Sequence, residues 1–367
     1  PMDSAKRARL AALAAQLAQF DETYAEFELY VELKASAGQG GILSYLQTGT
    51  GIAPAVLPDV ALIPAEQLPE AVSSGVVFPI EDILIPELLE DLYPVGRTLG
   101  TVDGQLYGYP YALTGMYHLV YESAGLEGIP GNWLELVDTP AVFVFPANSQ
   151  VGGRLVLDLY LAEGGVLVDG SNQPQLEVDP LVRALNNFNT VQQNGRILAQ
   201  SNGLTTLEDT WLVFQNSAAN VTLSNDQQFL RVRANEGIEP YAFAPLPGPN
   251  GPIPPRVNGW VWVVTTNDPA KRLLAAELLA WMLNPQNLGS WTTQANQLPA
   301  RRMAFDVWGD DAYTRFVRSE LERATVYPTV ANGGITIALT DAIFSLTSPG
   351  GSAPEVLAET AVGVVRP

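Results

Sequence analysis

The stretch LPDVALIPAEQLPEAVSSGVVFPI, residues 57–80, decides how the chain folds. Pro58-Asp59 is a turn signal that leads into the apolar run Val60-Ala61-Leu62-Ile63. A short run that is apolar on both faces suits a buried parallel strand. Glu66 to Gly75 then reads as a helix closed by its glycine, and Val76 to Ile80 is extended again. Strand and helix in immediate alternation predict an α/β lobe.

The same alternation continues in both directions. Upstream, Leu10, Leu13, Leu17 and Phe20 recur at helical spacing behind a candidate N-cap, Asp3. Residues Phe27 to Leu33 (FELYVEL) alternate as a strand does, and Gly41 to Gln47 reads as a short helix. Downstream, Asp103-Gly104 marks a turn, while Leu113 to Tyr121 and Val142 to Phe145 read as strands. Helices are expected over Val151–Ala162 and Pro180–Asn194, and a helix end, turn and strand over Phe214–Leu223. Tyr241 to Ala244 is a strand that enters a Pro/Gly-rich loop ending at Pro255. Trp260 to Val264 (WVWVV) is a strong strand. Asp268-Pro269 then caps a helix whose face is Leu273, Leu274, Leu278, Trp281 and Met282. Asp310 to Glu322 and Ala353 to Val365 are the last helical stretches.

Composition narrows the function classes. A chain of 367 residues has room for about two domains, and 47% hydrophobic residues can fill their cores. Thirty-nine acidic residues against 19 basic ones give a formal charge of −20. Bulk charge therefore repels nucleic acid and anionic lipid, and the plain reading of the excess is solubility. There is no Cys and a single His, His118. Disulfides and thiolate metal sites are excluded, and no metal, cofactor or Ser-His-Asp site is expected. His118 itself reads as a core or hinge side chain. No apolar run is long enough to span a bilayer. Gly-rich phosphate loops and a nucleophile elbow are missing too, so no catalytic residue is nominated. A carboxylate pair of the glycosidase kind stays open with so many acids, although none sits at the end of a strong strand.

Four ordered stretches carry a resemblance. They are the helix ending at Phe20 with the strand at Phe27; Leu57-Pro58-Asp59-Val60 with the helix exit Ser74-Gly75 and Phe78-Pro79-Ile80; Asp103-Gly104-Gln105-Leu106-Tyr107-Gly108-Tyr109-Pro110 followed by Pro130-Gly131-Asn132-Trp133; and Trp260 to Val264 with Asn267-Asp268-Pro269, the helix to Leu283 and Leu298-Pro299. In this order the chain resembles the extracellular solute-binding proteins of sugar-type ABC importers, the maltose-binding-like family. Two departures stand out. Glu122 replaces the usual Asn after the crossing strand, and no strand precedes the first helix. With Pro at residue 1, a trimmed N-terminus is the expectation.

The resemblance implies an α/β, two-lobed periplasmic-binding-protein-like fold. A ligand cleft would lie between lobes joined by two or three hinge crossings, near Thr114–Tyr117, Trp262–Val264 and Phe305–Trp308. Lobe one would be 1–115 plus 265–306, and lobe two 116–264 plus 307–367. It also implies high-affinity binding of a sugar or oligosaccharide and its delivery by hinge closure to ABC permease subunits. The protein would be a monomer and not an enzyme, extracellular or periplasmic, and membrane-anchored through a leader absent from this sequence.

Carried over residue by residue, the ligand-binding candidates are Glu66, Gln67, Tyr111, Thr114, Gln150, Arg154, Asn225, Asp226, Trp260, Trp262 and Asn332. Each has a plainer reading: a solvated helix start for Glu66 and Gln67, hinge packing for Tyr111 and Thr114, polar side chains facing water for Gln150 and Arg154, an ordinary turn for Ser224 to Asp226, core for the two Trp, and an Asn-Gly turn for Asn332. Arg301-Arg302 reads either as an anion site or as an ion-pairing cluster. Seven Trp and 13 Tyr favour a carbohydrate, because stacking on sugars needs aromatic faces. A peptide, a polyamine or a phosphorylated polyol remains an alternative cargo, as does sensing without transport.

Overall fold

The computed structural model describes residues 4–24, 27–52, 56–216 and 218–365. Helix α1 (Ser4–Thr23) buries Leu17 and Phe20, and the Phe20 ring stacks on Tyr24 at 4.7 Å. Asp3, the expected cap, lies outside the described residues. Phe27 packs edge-on against Phe20, but the expected strand from Phe27 to Leu33 does not form. Tyr30, Val31 and Leu33 are exposed instead. Alternation states which side chains would share a face; it does not supply a neighbour for the ladder.

After α2 (Ile42–Ile52) comes β1 (Val60–Pro64), which pairs antiparallel with the strand at 256–264. This corrects the parallel reading. A buried apolar run looks the same whichever way its neighbour runs. A 3-10 turn at Ala65–Gln67 leads into α3 (Leu68–Ser73), which Gly75 ends in a left-handed conformation (φ 69°). Helices α4 (Pro86–Glu90) and α5 (Pro94–Gly100) precede the hairpin of β2 (Thr101–Val102) and β3 (Gln105–Leu106). Its turn is Asp103-Gly104, both at positive φ. The stretch expected as one strand over 113–121 is two strands in different sheets, β4 (Gly108–Thr114) and β5 (Tyr117–Glu122), separated at Gly115 (φ 76°).

From β5 the chain builds a second sheet with β6 (Phe143–Val144), α6 (Gln150–Ala162), α7 (Val178–Gln193), α8 (Leu207–Asn216), β7 (Val221–Asn225), α9 (Asp226–Glu236) and β8 (Tyr241–Ala244). The sheet order is β6-β7-β5-β8, with β6 and β7 parallel and the other pairs antiparallel. The chain then returns through β9 (Arg256–Val264), α10 (Pro269–Met282), α11 (Pro285–Ala295), β10 (Leu298–Pro299), α12 (Ala312–Glu322) and β11 (Thr325–Val326). It finishes with α13 (Gly334–Thr347) and α14 (Pro354–Val365). The first sheet runs β1-β9-β4-β10, with β11 parallel on β9.

Asp268 caps α10 as expected, accepting from the amides of Ala270 and Lys271 at 2.8 and 3.2 Å. The buried face differs from the expected one. Ala275, Leu279 and Met282 point inward, whereas Leu273 and Leu274 are exposed.

The chain divides into two compact units. Unit one is residues 1–116 and 256–326; unit two is 117–255 and 327–367. The first crossing falls within the expected segment. The second lies at 255/256 rather than at Trp262–Val264, because β9 is an interior strand of unit one's sheet. The third lies at 326/327 rather than at Phe305–Trp308. Phe305 packs on Tyr93 within unit one, and α12 is fastened there through Glu322, whose carboxylate accepts from Nε and Nη2 of Arg302 at 2.7 and 2.8 Å. Arg301 is 4% exposed and pairs with Asp91 at 2.9 Å, while also donating to the Leu283 carbonyl. Both arginines are thus committed to the protein's own groups.

Unit two has a core in which Trp133 meets Phe143 and Phe188 edge-on, and in which α6, α7, α13 and α14 pack together. His118 is buried, edge-on to Phe229 and Phe243, in keeping with the core reading.

Candidate functional site

In unit one the candidates gather where β1 and β4 end and β9 begins. Pro64 stands opposite Trp260, and Thr114 stands opposite Asn258. Two residues beyond Pro64, Glu66 meets Asn258, whose side-chain amide donates to Glu66 Oε2 at 3.1 Å. Asn258 and Trp260 share one face of β9 by alternation. The result is a half-buried indole beside a carboxylate–amide pair, with the Thr114 hydroxyl across the ladder. Gln67 is turned elsewhere, donating to the Ser36 carbonyl at 2.7 Å.

Tyr111 and Trp262 are core residues rather than solute-facing ones. The ladder between β4 and β9 slips at Pro110/Ala112, so Tyr111 is the extra residue of a bulge. Its ring lies 5.7 Å from Trp262 and 4.5 Å from Trp291. Tyr111 is 0% exposed and Trp262 8%. Burial alone pushes the Tyr111 hydroxyl well above its ordinary pKa.

In unit two, β6 and β7 are parallel, so α6 and α9 both start from the carboxyl ends of strands, the end at which open α/β sheets hold ligands. Asn225 caps α9, accepting from the Gln228 amide at 2.8 Å, and faces Tyr117 across the ladder. The Arg154 guanidinium, one turn into α6, lies 4.6 Å from the ring centre of Tyr117 and 4.4 Å from that of Tyr327. Burial raises the pKa of the Tyr117 hydroxyl; Arg154 and the Asn225 hydrogen bond pull it down, and Asp226 and Asp158 push it up. Both of these aspartates are buried. Arg154, Asn225 and Asp226 are therefore brought together around Tyr117. Asp226 has no exposed surface and serves that cluster rather than a solute. Gln150 is exposed at the first turn of α6. Asn332 is exposed before Gly333 (φ 86°), where α13 begins.

Three residues of these clusters escaped sequence reading: Asn258, Tyr117 and Tyr327. Asn258 had a signal, a polar residue two before Trp260 in an otherwise apolar strand. The two tyrosines had none beyond their residue type, because what joins them is Arg154. Among the described residues no cluster of His, Cys, Asp and Glu could hold a metal ion, and no helix is long and apolar enough to cross a membrane.

The chain is thus two α/β units joined by three crossings, each with polar and aromatic side chains at the sheet ends beside a crossing. Residues 15–315 match the family described as bacterial extracellular solute-binding protein, and the chain belongs to that family. No curated protein matches the sequence. Among solved structures, the sugar-binding protein MalE from Xanthomonas citri superposes with a TM-score of 0.74 at 21% identity, covering 97% of this chain and 94% of that one. A cyclo/maltodextrin-binding protein complexed with maltotetraose gives 0.72 at 17% identity, with 99% and 94% covered. The GacH receptor of Streptomyces glaucescens, solved unliganded and with acarbose, gives 0.68 at 18% identity, with 98% and 95% covered. These likenesses establish the two-lobed maltose-binding-protein fold.

Proposed function

We propose that the protein binds a sugar or oligosaccharide and hands it to an ABC permease by hinge closure. The observation that carries this reading is Trp260, half-buried beside the Glu66–Asn258 pair. An indole face stacks on the C–H face of a pyranose, and the carboxylate and amide match its hydroxyls; a buried hydroxyl partner left unmatched costs about 1–3 kcal/mol. Glu66, Thr114 and Trp260 on unit one, and Gln150, Asn225 and Asn332 on unit two, are the proposed contacts. The proteins of the same fold named above are a sugar-binding protein, a cyclo/maltodextrin-binding protein and a receptor solved with acarbose, which supports the same class of cargo. The reading includes binding without turnover, a monomer, and attachment of the protein to the outer face of a membrane.

Thermal unfolding against mono- and oligosaccharides, amino acids, peptides, polyamines and phosphorylated polyols tests it. A sugar at 100 times its Kd should stabilise the fold by about 2.7 kcal/mol, a rise of about 3–4 °C. Trp260→Ala should leave the unliganded transition near its place and weaken sugar binding about tenfold, the scale of one lost stacking contact. Silence across all sugars together with a shift from a polyamine or a peptide would sink the carbohydrate reading.

A further inference from the structure

Arg154 touches two tyrosines with a particular place in the chain. Tyr117 is the first residue of unit two after the first crossing, and Tyr327 the first after the third. We propose that Arg154 is a positioning residue that couples these two crossings, so that they move as one when the units close. A planar guanidinium can lie against two aromatic rings at once, which a compact ammonium cannot do as well. Its backbone is held in place, because Gly153, the preceding residue, lies against α13: a Cβ built there would be 2.4 Å from Thr340 Oγ1 and 2.8 Å from the Thr336 carbonyl. Asp158, one turn on, and Asp226 are buried acids whose charges act on the same Tyr117 hydroxyl as Arg154.

The crossings differ in stiffness. Gly115, at φ 76°, gives the first the freest backbone, whereas Pro254-Pro255 precede the second and Pro328 follows Tyr327 in the third. Tying the first to the third restrains the crossing with most freedom. The consequence for ligand affinity rests on the closure proposed above; the coupling itself does not.

Hydrogen exchange of the ligand-free protein is the primary test. Arg154→Met should speed exchange about tenfold at residues 115–118 and at Val326, Tyr327 and Thr329 together, the scale of one lost cation–π contact, with Val221 to Leu223 unchanged. Tyr327→Leu should reproduce the effect at residues 115–118, more than two hundred positions away in sequence, and Tyr327→Phe, which keeps the ring, should not. Tyr327→Leu carries the test alone if Arg154→Met does not fold. Where sugars bind, Arg154→Met should weaken all of them by one common factor, as a residue acting through closure must. Exchange that changes only within α6, protection at 115–118 that survives Tyr327→Leu, or an affinity loss that varies from sugar to sugar would overturn the proposal. If no sugar binds the unaltered protein, the proposed cargo falls while the exchange result still decides the coupling.

Discussion

Tyr109 donates its hydroxyl proton to the Leu88 carbonyl at 2.6 Å inside unit one. Burial drives its pKa upward, with Arg301 pulling down and Asp91 pushing up. A folded pKa raised above the unfolded one contributes stability that is complete below the unfolded value, about 10, and is lost as pH rises beyond it. Tyr93 and Tyr111 are raised by burial in the same direction. Unit one should therefore unfold on the alkaline side. Tyr109→Phe should cost about 1 kcal/mol at pH 7, one hydrogen bond's worth, and should shrink the stability lost between neutral pH and pH 10.5. Urea titrations at the two pH values check both; an unchanged alkaline loss would mean that the Tyr109 hydroxyl is not what titrates. At this scale Glu66 and Trp260 were legible as a polar residue at a strand end and an aromatic on a strand face. Tyr111 was not, because a one-residue bulge at Pro110 sends it into the core and no local pattern announces a bulge.

Helices α6 and α13 of unit two meet closely at Gly153, where the missing side chain admits Thr336 and Thr340 of α13 to α6. The second of these threonines also keeps its hydroxyl within the helix, donating to the Thr336 carbonyl at 2.8 Å. Gly153→Ala improves intrinsic helix propensity by about 1 kcal/mol and so would stabilise a free helix. Here the backbone of α13 blocks the methyl, and overpacking of this kind costs about 1–3 kcal/mol. We expect a net loss of stability, read as a lower denaturation midpoint at constant slope; a gain would mean that α13 shifts at little cost. Elements with a cap or a strong period were readable, as Asp268-Pro269 shows for α10. Helix α13 was missed although Ile335, Ala338, Leu339, Ala342, Ile343 and Leu346 recur at helical spacing, because its β-branched residues lower helix propensity and the exposed Ile337 and Phe344 blur the stripe. The strand expected at Phe27 failed for the opposite reason: its pattern is clear, but no neighbour among the described residues completes a ladder.

Neither unit is one continuous segment, and this makes unit two depend on the far end of the chain. Residues 117–255 carry its sheet and α6 to α9, but α13 and α14 cover α6 and α7. Ile335, Leu339, Ile343 and Leu346 of α13 are buried in that core, as are Leu357 and Val362 of α14. Full burial of such side chains is worth about 1.5–3 kcal/mol each, so the four from α13 alone match the 5–15 kcal/mol that typically holds a domain folded. Loop sequence between the units gave the crossings only approximately for the same reason: a crossing is defined by which core each flank joins, and β9 joins unit one through pairing with both β1 and β4. A chain ending at residue 326 should accordingly keep exchange protection in β4 and β9 and lose it in β5 and β7. Residues 117–255 expressed alone should collapse without fixed packing, retaining far-ultraviolet helical signal but no protected amides in β7. Protection of β7 in either fragment would show that α13 and α14 decorate a finished core, and the assignment of the C-terminal segment to the foundation of unit two would have to be withdrawn.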